Sequence, residues 1–170
     1  NRILDSLIFP ESCRSFAITG PYGSGKSSFA VFLGHLLQKN NKGHKKAVSV
    51  LRNKDSETLL RLDTALKKSG ESDNGFLVGM ATAQREPVAE SLRRAIENSL
   101  DSDLAFSGKS ALKKLISRDD VSANEIIGVA KKIIDVVSLV IVLDEFGKNL
   151  ESFKEKPAES DLFILQQLAE

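Results

Sequence analysis

A chain of 170 residues, 41% hydrophobic and 28% charged, carries enough apolar material for one substantial core, and a single domain over 1–170 is the expectation. Its 24 basic residues stand against 23 acidic ones, so a net charge of +1 gives no argument for nucleic acid or an anionic membrane as partner. The single cysteine, Cys13, excludes an internal disulfide framework and fits a reducing, cytoplasmic compartment, and no apolar run approaches the roughly 20 residues a membrane-spanning helix needs.

The opening NRILDSLIFPES has neither a signal-peptide shape nor a methionine and reads as a cut edge. SFAIT (15–19) is then the first of four short β-branched, apolar runs, followed by AVSVL (47–51), FLVGMATA (76–83) and SLVIVLDE (138–145). None alternates cleanly, which suits strands buried on both faces. Between them, Phe29, Phe32, Leu33, Leu36 and Leu37 mark a helix over 26–39, and Leu59, Leu62 and Leu66 another over 56–69 that Gly70 is placed to end. Pro87 opens PVAESLRRAIENSL at a position the first helical turn tolerates. Amphipathic stretches follow at about 109–117 and 122–135, with Ser122 as cap of the second. The polar segment 147–160 reads as a loop, and a last helix starts at Ser160 or Asp161. Strands alternating with helices imply a parallel sheet with right-handed crossovers, and 87–135 is helix-rich enough to be an insertion.

The junction ITGPYGSGKSSFA (18–30) places three glycines, a lysine and serines between the first strand and the first long helix. Gly20-x-x-x-x-Gly25-Lys26-Ser27 fits the Walker A pattern in its required strand–loop–helix setting. Glycines let successive N–H groups turn inward as a nest for phosphate oxygens, and the helix aims its positive dipole end at the same place. The nucleotide-binding residues are then Gly20, Pro21, Tyr22, Gly23, Ser24, Gly25, Lys26, Ser27 and Ser28. Lys26 reaches the β- and γ-phosphates, and the Ser27 hydroxyl completes the shell of a Mg²⁺ ion. The plainer alternative is a glycine-rich strand–turn–helix corner. SGKS at 107–110 repeats the tail of the motif, but Asp103 stands where its first glycine belongs and no apolar strand precedes it, so it reads as a helix start.

Val140 to Leu143 lead directly into Asp144-Glu145, the Walker B arrangement, in which a buried strand delivers a carboxylate to Mg²⁺. Asp144 is the metal-side residue, and Glu145 the group that polarises the attacking water. Adjacent carboxylates at the end of an apolar strand are costly unless a cation shares the site, although a solvated turn after a strand would also accommodate them.

Walker A followed by hydrophobic–Asp–Glu resembles the additional-strand class of P-loop ATPases, which includes AAA-type and STAND-type proteins. More narrowly, FAITGPYGSGKSSFA and VLDEFGKNLE…DLFILQQLAE are similar to large bacterial ATP-binding proteins, some of them associated with defence against phage. The resemblance implies a three-layer α/β/α P-loop fold with a mostly parallel sheet. It also implies Mg²⁺-dependent ATP binding, with hydrolysis driving a conformational change in further domains of the same chain or in a homo-oligomer. ATP rather than GTP follows from the class, and no guanine-reading Asn-Lys-x-Asp occurs. The class carries a polar sensor residue on a further strand after Walker B, for which no strand is left here, so the chain reads as a piece of a longer ATPase. Two rival readings are a STAND-like nucleotide switch that binds without turnover and a small-molecule kinase, which normally adds an arginine-bearing lid.

The loop KNNKGHKK (39–46) concentrates four lysines and could touch a nucleic-acid backbone, but it lacks an aromatic residue to stack on bases and reads as a solvated loop. The doublets Lys67-Lys68, Arg93-Arg94, Lys113-Lys114 and Lys131-Lys132 read as solvated helix faces. With one cysteine and two scattered histidines, His35 and His44, there is no zinc constellation.

Overall fold

The computed structural model describes residues 2–9, 11–69, 75–155 and 163–169. The chain divides into two compact units, residues 1–76 and 77–170.

The first unit is helical. Its elements are α1 (Arg2–Ile8), α2 (Lys26–Leu37), α3 (His44–Lys54) and α4 (Ser56–Lys68). Leu36 and Leu37 of α2, Ala47 and Leu51 of α3, and Leu62, Ala65 and Leu66 of α4 are buried at helical spacing, and α1 adds Leu4 and Ile8 against α4. Asp55 ends α3 and caps α4, accepting from the Thr58 N–H at 2.9 Å and the Thr58 hydroxyl at 2.6 Å, and the latter bond first among causes holds its carboxyl below the usual range. After α4 the chain returns to α2. Gly75, at φ 77°, bridges Gln38, and a Cβ there would lie 2.4 Å from the Leu37 carbonyl oxygen, so only glycine fits this approach.

The second unit is α/β. β1 (Leu77–Thr82) and β2 (Leu139–Asp144) pair in parallel from Leu77↔Leu139 to Thr82↔Asp144. Three helices form the crossover between them: α5 (Val88–Leu100), α6 (Lys109–Ile116) and α7 (Ala123–Ile134). These are the helices expected over 87–135. Pro87 precedes the first, and Ser122 caps the last through a reciprocal pair of bonds with Glu125. Val88, Leu92, Ile96 and Leu100 turn one face of α5 into the core, and Gly79 lets that helix lie directly on β1. α8 (Gly147–Glu155) and α9 (Phe163–Ala169) complete the unit.

Four expectations are corrected. Residues 47–51 are helix rather than strand, because Ala47 and Leu51, four apart, bury one face while Val50 is exposed. Residues 147–155 are helix rather than loop, anchored by the buried polar Asn149 and Ser152. Residues 15–19 form no strand among the described residues: a strand exists by pairing, and this segment lies exposed with Phe16 and Ile18 in solvent. The strand before the glycine loop is therefore absent here, and the described sheet has two strands. Arg93 and Arg94 are no solvated face. Arg93 pairs with Glu90 and Glu97, and Arg94 with Glu86. Gly70 and the expected helix start at 160–161 lie outside the described residues.

Candidate functional site

The glycine loop belongs to the first unit and the acidic pair to the second. In the loop, Gly23 (φ 76°) and Gly25 (φ 86°) both adopt the left-handed conformation, and among the described residues nothing beyond their own chain neighbours comes within 4 Å of where a Cβ would stand on either. Both turns depend on backbone freedom rather than on space. The Ser24 N–H donates to the Pro21 carbonyl at 3.3 Å, closing the turn. Gly20 is confined instead: a Cβ there would approach Ser24 Oγ to 3.2 Å.

Gly25 is the N-cap of α2 and supplies no side chain to cap it. The first intrahelical bond runs from the Phe29 N–H to the Gly25 carbonyl at 2.8 Å. The amides of Lys26, Ser27 and Ser28 therefore remain as the open end of the helix, where backbone donors and dipole favour an anion. Lys26 curls back over the loop, its Nζ donating to the Gly20 carbonyl at 2.9 Å, the Pro21 carbonyl at 2.8 Å and Ser24 Oγ at 3.4 Å. A cation is thus held on the loop beside the uncapped amides. Ser27 and Ser28 are exposed next to it, and Tyr22 projects fully into solvent.

The second GKS sequence gives an internal comparison. Gly108 is also left-handed and opens α6, and Lys109 Nζ also turns back, to the Leu104 carbonyl at 2.7 Å and to that of Ser102. That lysine is half-buried, and burial lowers its pKa. It fastens a loop. A folded-back lysine on an uncapped, exposed helix start is therefore no mark of a phosphate site by itself, and the difference at 20–28 lies in the second left-handed glycine, Gly23.

In the second unit, Asp144 ends β2 beside Thr82 of β1, and its carbonyl accepts from the Ala83 N–H at 2.8 Å. The carboxylate Oδ1 accepts from the Glu145 N–H at 2.9 Å. Glu145 sits at φ 55°, the one non-glycine residue with positive φ among those described, and its carboxylate pairs with Lys148. Both carboxylates are accessible to solvent, as metal or water chemistry requires.

A buried polar network at the same strand ends was invisible in the sequence. Asn149, fully buried on α8, donates to the Glu86 carbonyl at 2.9 Å and to Ser91 Oγ at 3.0 Å. Ser91 Oγ in turn donates to Glu86 Oε1 at 2.6 Å, and Arg94 reaches both Glu86 and the Thr82 carbonyl. Among the described residues Asn149 Oδ1 has no partner. The network ties the helix that follows Glu145 to the end of β1 and so fixes the turn 144–147.

No cluster of three or more His, Cys, Asp or Glu forms among the described residues. A Mg²⁺ ion held mainly by phosphate oxygens and water needs fewer protein ligands, and the oxygens of Ser27 and Asp144 are of the hard kind it prefers. No helix among those described is long and apolar enough to cross a membrane. The chain matches no protein-family model, no curated protein and no solved structure.

Proposed function

We propose that the chain is a P-loop ATPase module: residues 20–28 bind the triphosphate of ATP, Asp144 serves its Mg²⁺, and Glu145 positions the attacking water. The observation that carries this reading is the loop itself, with Gly23 and Gly25 left-handed, an uncapped and exposed helix start, and Lys26 held over it. On ATP binding the Lys26 ammonium exchanges two loop carbonyls for phosphate oxygens, a stronger charge-assisted contact. The open backbone amides of Lys26, Ser27 and Ser28 take the remaining phosphate oxygens. Ser27 would take the Mg²⁺ at the loop, where the ion neutralises charge on the phosphates when bound. Glu145 accepts a proton from water as the water oxygen bonds to the γ-phosphorus, the bond from that phosphorus to the β–γ bridging oxygen breaks, and ADP leaves with phosphate as the other product. The parallel pair β1–β2, with its helical crossover, supports a three-layer α/β/α P-loop fold as the frame.

The test is Lys26→Ala. Affinity for a fluorescent ATP analogue should fall at least tenfold while circular dichroism stays unchanged, because Lys26 opens α2 outside its buried face. Unchanged affinity would remove the reading.

One observation favours a second reading, a nucleotide switch without turnover. Glu145 is paired with Lys148, and a water molecule must displace that ammonium before the carboxylate can accept its proton. Replacing Lys148 with Met separates the two readings. If the pair restrains an ATPase, phosphate release rises in Lys148→Met; if the chain is a switch, both proteins bind ATP and release no more than one phosphate each.

A further inference from the structure

Between Glu11 and Asp55 the sequence contains no acidic residue, yet it carries eight lysines and arginines. In a chain of nearly balanced charge this is a strong segregation. The centre of the segment is α3, and its helical geometry decides which cations act together. Ala47 and Leu51 form its buried line. At 3.6 residues per turn, Lys45, Ser49 and Arg52 fall on one line of the opposite side, with Lys46 and Asn53 on the line beside it. All five are exposed. The face spans about 10 Å along the helix.

Elsewhere among the described residues Arg61, Arg85, Arg93, Arg94 and Arg118 each pair with a carboxylate. Among the described residues Lys45, Lys46 and Arg52 have no such partner. Like charges held together on one face cost the folded state stability unless an anion shares them.

We propose that this face of α3 docks on the phosphate backbone of duplex nucleic acid. The inference stands independently of the nucleotide reading. About 10 Å of duplex presents roughly six phosphate charges, enough to meet three cations and the Ser49 and Asn53 donors, which are side chains of the kind that bind phosphate oxygens. Single strands are held largely by aromatic stacking, and the sequence has no Phe, Tyr or Trp between Phe32 and Phe76. A membrane-surface helix needs large apolar groups to insert, and Val50 is the one large hydrophobic that α3 exposes. Contact to phosphates alone reads no sequence.

The experiment is fluorescence anisotropy of a labelled, mixed-sequence DNA duplex titrated with the full chain at several salt concentrations. Three phosphate contacts give a log–log slope of about −2.7. The combined variant Lys45→Gln, Lys46→Gln, Arg52→Gln should lose at least tenfold in affinity at low salt and bring the slope close to zero, with an unchanged urea midpoint. The single variant Lys26→Ala should bind the duplex as the parent does. The proposal is overturned if the parent fails to bind at low salt, if the triple variant keeps the parental slope, or if Lys26→Ala abolishes binding. Tighter binding to a single-stranded oligonucleotide, to polyglutamate or to phosphatidylserine vesicles than to the duplex also overturns it.

Discussion

Glu145 holds a backbone conformation that costs a non-glycine residue about 1–2 kcal/mol, and its neighbours supply the compensation. Its N–H is taken by Asp144 Oδ1, its carbonyl by the Lys148 N–H at 2.9 Å, and its carboxylate by the Lys148 ammonium. Such conformations persist where the surroundings over-determine them, and they cluster at functional turns. The strain is measurable: Glu145→Ala and Glu145→Gly both remove the carboxylate, but only glycine relieves the backbone. Urea denaturation should find the glycine variant more stable than the alanine variant by about 1 kcal/mol. Equal stabilities would mean that the turn relaxes in solution. The two carboxylates also have separable roles. Asp144→Ala should abolish the strengthening of ATP binding by Mg²⁺, while Glu145→Gln should bind ATP normally and leave it uncleaved. If Glu145→Gln releases phosphate at the parental rate, Glu145 is not the base.

Among the elements, α7 shows how a local signal sets a boundary. Its Glu125 carboxyl is held below the usual range by the Ser122 backbone N–H first and the Ser122 hydroxyl second. A carboxyl whose folded pKa is depressed adds stability above its unfolded pKa and loses it as the pH falls through the folded one. The parent should therefore exceed Ser122→Ala in stability at neutral pH, and the gap should narrow in acid, as urea midpoints across pH would show. Gly79→Ala tests the contact of β1 with α5. Its Cβ would lie 2.3 Å from the Ala95 carbonyl oxygen, backbone that cannot yield without moving the helix, and a loss of about 1–3 kcal/mol is expected. These devices explain which elements were legible. Pro87, Ser122 and the apolar periods of α2, α4, α5 and α7 act within a few residues, so the sequence carries them openly. The parallel strands were legible as apolar runs bounded by polar residues. AVSVL misled because its valines suggested a strand while burial follows Ala47 and Leu51. The segment 147–155 misled because Asn149 and Ser152 are polar, and polar residues do not announce burial. For 15–19, strand formation depends on a distant partner that composition cannot supply. At the site, the glycines and Lys26 were legible because the loop's geometry is local. The Glu145 conformation and the Asn149 network were not, because they arise from packing between elements far apart in sequence.

For the molecule as a whole, nucleotide binding must appear as stability, since a ligand that prefers the native chain shifts its unfolding equilibrium by mass action. At one hundred times its dissociation constant, Mg·ATP should add about 2.7 kcal/mol. For a chain of this size each kcal/mol raises the melting temperature by about 2–4 °C, so an increase of roughly 5–10 °C is expected. Differential scanning calorimetry can then separate the assigned roles without requiring turnover. At the same nucleotide concentration Lys26→Ala should keep no more than about half of the increase, because a tenfold loss of affinity leaves about 1.4 kcal/mol of ligand stabilisation. Asp144→Ala should respond to ATP but gain nothing further from Mg²⁺. The triple α3 variant should show the full parental increase, because its cations lie on α3 and outside the loop 20–28. An undiminished increase in Lys26→Ala would place the nucleotide elsewhere on the chain, and a Mg²⁺-dependent increase in Asp144→Ala would remove that carboxylate from the metal. Loss of the increase in the triple variant would make the basic face part of the nucleotide site rather than a surface of its own.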